Sequence, residues 1–160
     1  MAIAVVDTNV WLDWLVFGDA VVAPLRAAVS GGHLELVACV RIRDEVLDVI
    51  RRPQIAVRCA DLDAAADTFH RHVRLADPPP DCGLTCTDPD DQVFLDLAVA
   101  ERAAWLISKD RDLLSLASKA HRRFALRIAP PARFAAEWAE AASSGASFPA
   151  MAAPPPAPAP

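Results

Sequence analysis

The sequence predicts an α/β sandwich on a parallel sheet, and three observations carry that prediction. The opening stretch Ala2 to Asn9 (AIAVVDTN) is an apolar, β-branched run that ends in polar residues. Such a run reads as a strand buried on both faces, the kind found in parallel sheets. Similar short apolar runs recur at 34–40, 105–108 and 125–128. Between them lie longer segments whose apolar residues repeat at helical spacing, and that alternation is the pattern of a parallel α/β fold.

Taken in order, Asp7 falls just past the first strand, at the sheet edge where ligands collect in open α/β folds. Val10 to Phe17 (VWLDWLVF) reads as a buried helix capped by the Asp7–Asn9 turn. Trp11 and Trp14 share a face there and are read as core, with base stacking as the sharper alternative. Val21 to Val29 is a helix with Pro24 in its first turn, ended by Ser30-Gly31-Gly32. Leu34 to Val40 is the second strand. Arg41 to Arg52 follows as a helix with Ile42, Val46, Val49 and Ile50 on its apolar stripe and Glu45 one turn in, and Pro53 closes it.

Leu62 to Val73 is a further helix with Asp61 as its N-cap. Its His70 and His72 face different ways and are expected on the surface. Leu75 to Pro80 is expected to be a loop, forced by three prolines. Asp88-Pro89-Asp90-Asp91 opens the next helix, acids at its positive end, and Phe94, Leu97 and Ala98 form its buried face. Asp90 and Asp96 are expected to be solvated. Trp105 to Ser108 is a strand followed at once by Lys109-Asp110-Arg111-Asp112. Leu113 to Lys119 is a short helix, Ala125 to Ile128 the last strand, and Pro130 to Ala142 a helix. The domain is therefore drawn as residues 1–142. Residues 143–160 carry no charge and 6 of the chain's 14 prolines, and read as a disordered Pro/Ala-rich tail.

Composition narrows the function. At 160 residues and 54% hydrophobic, the chain suits one packed domain. No apolar run is long enough to cross a bilayer, and the first residues lack the basic segment and cleavage site of a signal peptide. A cytoplasmic protein that does not enter a membrane is expected. The net charge of −5 argues against broad non-specific nucleic-acid binding. All 16 basic residues except Lys109 and Lys119 are arginine, which suits bidentate phosphate contact. Most of the four cysteines, Cys39, Cys59, Cys82 and Cys86, read as free, reduced thiols. A zinc site at Cys82 and Cys86 lacks a second ligand pair of matching spacing.

Asp7, Asp91 and Asp110 each stand beside a strand end or a helix start, and Glu45 one turn into a helix. Carboxylates gathered in space repel one another, and a hard divalent cation removes that cost. Oxygen ligands without matched His or Cys fit Mg²⁺ or Mn²⁺. Such an ion can acidify water and neutralise phosphate charge, so phosphodiester hydrolysis is the chemistry to expect.

Three pieces of the chain resemble the PIN-domain nucleases, and within them the VapC-like toxin components of bacterial type II toxin–antitoxin systems. They are the strand ending Asp7-Thr8-Asn9, followed by Val10 and Leu12; Asp88-Pro89-Asp90-Asp91 leading into Phe94-Leu95 and Leu97-Ala98; and Ser108-Lys109-Asp110-Arg111-Asp112-Leu113. Glu45 within Arg43-Asp44-Glu45-Val46 matches the acid on the helix after the second strand, and Ile128-Ala129-Pro130-Pro131 with Phe134 matches the close.

That resemblance, over about residues 2 to 140, implies a three-layer α/β/α sandwich and a Mg²⁺- or Mn²⁺-dependent ribonuclease. It implies Asp7, Glu45, Asp91 and Asp110 as the catalytic acids. Asp7 ligates the metal directly, Asp91 and Asp110 directly or through water, and Glu45 positions the metal-bound water. Asp112 either completes a second metal site or supports Asp110. Thr8, Asn9 and Ser108 fix carboxylate orientation. Asp91 is preferred to Asp90 because it lies seven residues before Ala98, the spacing of the family's helix. RNA is the implied substrate, a cognate antitoxin the implied partner, and a homodimer a further expectation.

Three readings compete. A haloacid-dehalogenase-type phosphatase wants a second Asp where Asn9 stands, although Lys109 suits its later lysine. A PIN nuclease of RNA processing or DNA repair shares every motif. A non-catalytic interaction module needs none of the acids.

Overall fold

The computed structural model of the chain describes residues 1–145. Its five strands are β1 (Ala2–Val6), β2 (Leu34–Cys39), β3 (Val73–Ala76), β4 (Trp105–Ile107) and β5 (Arg127–Ala129). They form one all-parallel sheet in the order β3-β2-β1-β4-β5. Ala4 stands opposite both Leu36 of β2 and Trp105 of β4. β4 and the second half of β1 are fully buried. Helices therefore cover both faces, as the continuous apolar runs require.

The helices are α1 (Thr8–Leu15), α2 (Ala23–Ser30), α3 (Val40–Arg51), α4 (Pro53–Ala56) and α5 (Leu62–His72). After them come α6 (Gln92–Ala100), α7 (Arg111–Leu114), α8 (Ala117–Phe124) and α9 (Pro131–Ser144). α1, α3 and α5 pack on one another, α6 lies against β1 and β4, and α2 packs on β2 and α9. The result is the expected three-layer α/β/α sandwich.

Local chemistry explains the boundaries. Asp7 is the N-cap of α1, its carboxylate accepting the Asn9 N–H at 2.7 Å, and Asp61 caps α5 through the Ala64 N–H at 3.0 Å. α3 buries Ile42, Val46 and Ile50, one residue per turn of a single stripe. Trp11, Trp14 and Phe69 form one aromatic cluster in the core, with ring centroids 5.3 Å and 4.7 Å from Trp11.

Several boundaries differ from the sequence reading. β3 occupies residues expected as a helix end and a loop. It is a short edge strand that begins directly after His72, so neither a turn residue nor apolar alternation marks it. Arg74 anchors it through ion pairs to Glu35 at 3.1 Å and Glu101 at 2.7 Å. Pro53 does more than end α3: it occupies the first turn of α4, where its missing N–H costs nothing. The helix expected at 113–119 is two, because Ser115 and Leu116 break it. β2 ends at Cys39, and Val40 already belongs to α3. His72 is half-buried, its ring 5.2 Å from that of Trp14. α9 runs through Ser144, with Gly145 in the left-handed conformation (φ +66°) as its cap. The remainder of the segment read as a disordered tail lies outside the described residues.

The strand order has one consequence for chemistry. The chain moves from β1 outward to β3, then crosses to the other side of β1 for β4 and β5. Such a reversal leaves a crevice between the C-terminal ends of β1 and β4.

Candidate metal centre

Asp7 sits at the end of β1 and Asp110 three residues past β4, on the two sides of that crevice. Asp7 is 4% exposed. Its Oδ1 accepts the Asn9 N–H, and its Oδ2 accepts the Ser108 hydroxyl. The same Ser108 oxygen accepts the Asp110 N–H at 2.9 Å. The Asp110 carboxylate caps α7, taking the Asp112 N–H at 2.8 Å. A single buried hydroxyl thus ties the two acidic turns together. Each Asp7 oxygen still has a lone pair free after these bonds.

Glu45 approaches from α3 and Asp91 from the turn that opens α6. Asp7, Thr8, Asn9, Glu45, Asp91 and Asp110 line one open cavity of about 200 Å³, together with Val49, Arg52 and Phe94. Asp112 lies on the far side of Asp91: carboxylate oxygens of Asp88, Asp91 and Asp112 come within 4.8 Å of one another. The acidic set named from the sequence is therefore brought together, with Asp112 reaching it through Asp91. Ser108 is fully buried between Asp7 and Asp110, and Asn9 holds Asp7 through its backbone. The buried Thr8 hydroxyl lies beside Glu45 and favours its charged form.

Three of these carboxyls are driven toward their protonated forms. Burial raises the Asp7 pKa above the ordinary carboxylate value, against hydrogen bonds from Ser108 and Asn9 that lower it. Burial raises Glu45 too, and the charge of Asp7 adds to it. Asp91 is pushed up to about 7 by burial and by the carboxylates of Asp110 and Asp88. Its Oδ2 is buried with no hydrogen-bond partner among the described residues. An orphaned buried acceptor inside a cluster of acids calls for a proton or a cation. The all-oxygen donor set suits a hard divalent ion, so the residues present fit Mg²⁺ or Mn²⁺.

Asp88 and Arg52 were not among the residues singled out. Asp88 carries the signal of its neighbours, since it opens the same acidic turn. Arg52 closes α3 by pairing with Asp48 at 3.0 Å, and only the packing of α3 against α6 turns it to the cavity. Asp96 is not solvated as expected: its Oδ1 accepts the Cys82 N–H at 3.1 Å and the Gln92 amide at 2.9 Å. Lys109, the lysine a phosphatase would use, binds Asp13 at 2.6 Å. The cysteines are free, and burial pushes the Cys82 thiol up to about 11.

Comparison with known proteins follows this geometry. A family model described as PIN domain matches residues 4–112, from β1 into the first half of α7. The structure of VapBC2 from Rickettsia felis bound to a DNA fragment from their promoter is similar at 13% identity and TM-score 0.54, covering 79% of this chain and 96% of that one. The PIN domain of human SMG5 is similar at 14% identity and TM-score 0.45, covering 85% of this chain and 98% of that one. No curated protein matches the chain. The likeness to VapBC2 is one of fold, and the family match covers both acidic turns as well as α3. This chain belongs to the PIN domain family, whose members are generally nucleases.

Proposed function

We propose that residues 1–142 form a Mg²⁺- or Mn²⁺-dependent endoribonuclease that hydrolyses RNA phosphodiester bonds. We further propose that it acts in the cytoplasm as the toxin of a toxin–antitoxin pair, held inactive by a cognate antitoxin protein and working as a homodimer. The observation that carries the reading is the convergence of Asp7, Glu45, Asp91 and Asp110 on one cavity, from four separate stretches of the chain. The fold likeness to VapBC2 supports the toxin assignment.

Asp7, Asp91 and Asp110 are the residues that hold the ion, with Asp112 as a further ligand. A bound divalent cation supplies a water of lowered pKa and neutralises charge on the phosphate. Glu45, in the same cavity and with its pKa raised by burial, would serve as the proton acceptor there. Ser108 and Asn9 keep Asp7 from rotating, so its free lone pairs stay aimed at the cavity.

The test is cleavage of a mixed RNA substrate in Mn²⁺, Mg²⁺ and EDTA, with Asp7→Asn and Asp91→Asn alongside. Cutting that disappears in EDTA and in both variants is expected. Cutting that survives both substitutions points to a contaminant and overturns the site. Folded protein that cuts nothing in either metal favours a non-catalytic interaction module.

A further inference from the structure

One face of α3 carries more than Glu45. Arg41, Glu45 and Val49 stand at i, i+4 and i+8 and so share a stripe along α3, and Arg52, the residue that caps the helix, follows at i+11. Glu45, Val49 and Arg52 line the acidic cavity. Arg41 continues the stripe at the other end. Its positive charge acts on Glu45, and its side chain lines a neighbouring cavity of about 220 Å³ with Val40, Pro78, Pro79 and Val93. Arg41 forms no salt bridge among the described residues, and Arg52 pairs only with the exposed Asp48 on its own helix. Two exposed guanidinium groups therefore flank the acids, one toward each end of the helix.

We propose that α3 is the track for a single-stranded RNA substrate, with Arg41 and Arg52 as positioning residues for phosphates on either side of the one being cut. This rests on the nuclease reading above. The physical need is plain. An acidic cavity in a chain of net charge −5 repels a polyanion, and fixed cations on its rim offset that locally. Eleven residues of helix separate the arginines by about 16 Å along the axis, a span of about five stacked nucleotides. The guanidinium fork suits phosphate oxygens better than an ammonium does. A single strand, unlike a duplex, can follow a helix face while its scissile phosphate dips into the cavity.

The experiment measures steady-state cleavage together with anisotropy of a labelled oligouridylate, both in Mg²⁺. The proteins are the full chain and its Arg41→Ala, Arg52→Ala, Arg52→Lys and Arg51→Gln variants. Arg51 donates to the Leu47 carbonyl at 2.8 Å and lies off this face. Each alanine variant is expected to raise KM about tenfold with kcat within about twofold, the mark of lost ground-state binding. Each should also lower the salt slope of binding by about 0.7. Arg52→Lys should recover part of the loss and Arg51→Gln should change nothing. Oligomers of two or three nucleotides should lose their response to Arg41→Ala, because Arg41 lies outside the acidic cavity, and keep that to Arg52→Ala, because Arg52 lines it. Unchanged KM, affinity and salt slope in both alanine variants overturn the track while leaving the nuclease intact. Arginine-dependent binding without any cutting supports the track and overturns the nuclease. Wild-type protein that neither binds nor cuts overturns both.

Discussion

The Ser108 hydroxyl donates to the Asp7 carboxylate while its oxygen accepts the Asp110 N–H, so one buried atom serves both acidic turns. Ser108→Ala leaves a buried acceptor and a buried donor without partners. It is expected to cost about 1–3 kcal/mol, a fall in melting temperature of roughly 2–10 °C. Divalent-ion affinity should fall about tenfold or more, because Asp7 is then free to rotate. Thermal unfolding with and without Mn²⁺ reads both effects.

Asp91 makes stability depend on pH in the absence of metal. Its folded pKa of about 7 lies above the ordinary 3.8 of an aspartate, so between those values the folded chain holds a proton that the unfolded chain has released. Stability therefore falls as pH rises through that window and levels off above it. Asp91→Asn should flatten the curve. Mg²⁺ or Mn²⁺ should raise the melting temperature more at pH 8 than at pH 5.5. An equal metal effect at both pH values contradicts the assignment of Asp91 as a ligand.

Asp13 is buried on α1, and its carboxylate is held by Lys109 at 2.6 Å. Lys109→Met removes the only salt-bridge partner of that carboxylate among the described residues. The expected loss is about 3 kcal/mol, the low end for a broken buried pair because Lys109 is half exposed. The double variant Asp13→Asn, Lys109→Met should recover much of it. Urea unfolding of the four proteins gives the coupling directly.

Trp11 is 1% exposed and packed between Trp14 and Phe69, which makes it core rather than a base-stacking platform. Trp11→Ala should cost about 3–5 kcal/mol. Trp14→Phe is the milder variant. It should lower the urea midpoint and leave RNA affinity of the folded protein unchanged. Selective loss of RNA affinity in Trp14→Phe, with stability intact, argues for stacking instead.

How far the sequence could be read follows from where each signal lives. β1, β2 and β4 announce themselves because strands buried on both faces must be continuously apolar, and their ends place Asp7 and Asp110 at once. α3 and α6 are equally legible through Ile42, Val46, Phe94 and Leu97. β3 is not, because an edge strand pairs on one side only and Arg74 gains its ion pairs from Glu35 and Glu101, far off in sequence. The same limit hides Arg52 and the bonded state of Asp96. The cavity partners of Arg52 and the Cys82 N–H on Asp96 come from other parts of the chain, while their partners one turn away, Asp48 and Gln92, look like those of ordinary surface residues. Asp88 was missed for the opposite reason: three acids in one turn look alike until packing shows which oxygens approach Asp112.

The parallel order β3-β2-β1-β4-β5 also sets a timetable for synthesis. Asp7 is made well before its partner Ser108, which lies 101 residues later. β1 becomes a central strand only when β4 arrives, and the cavity is complete only with Asp110. At the elongation rates of living cells, chain growth delays that encounter by several seconds at least. A nascent chain on the ribosome is thus without this cavity until Asp110 has been made. On the nuclease reading proposed above, the site cannot act before that point.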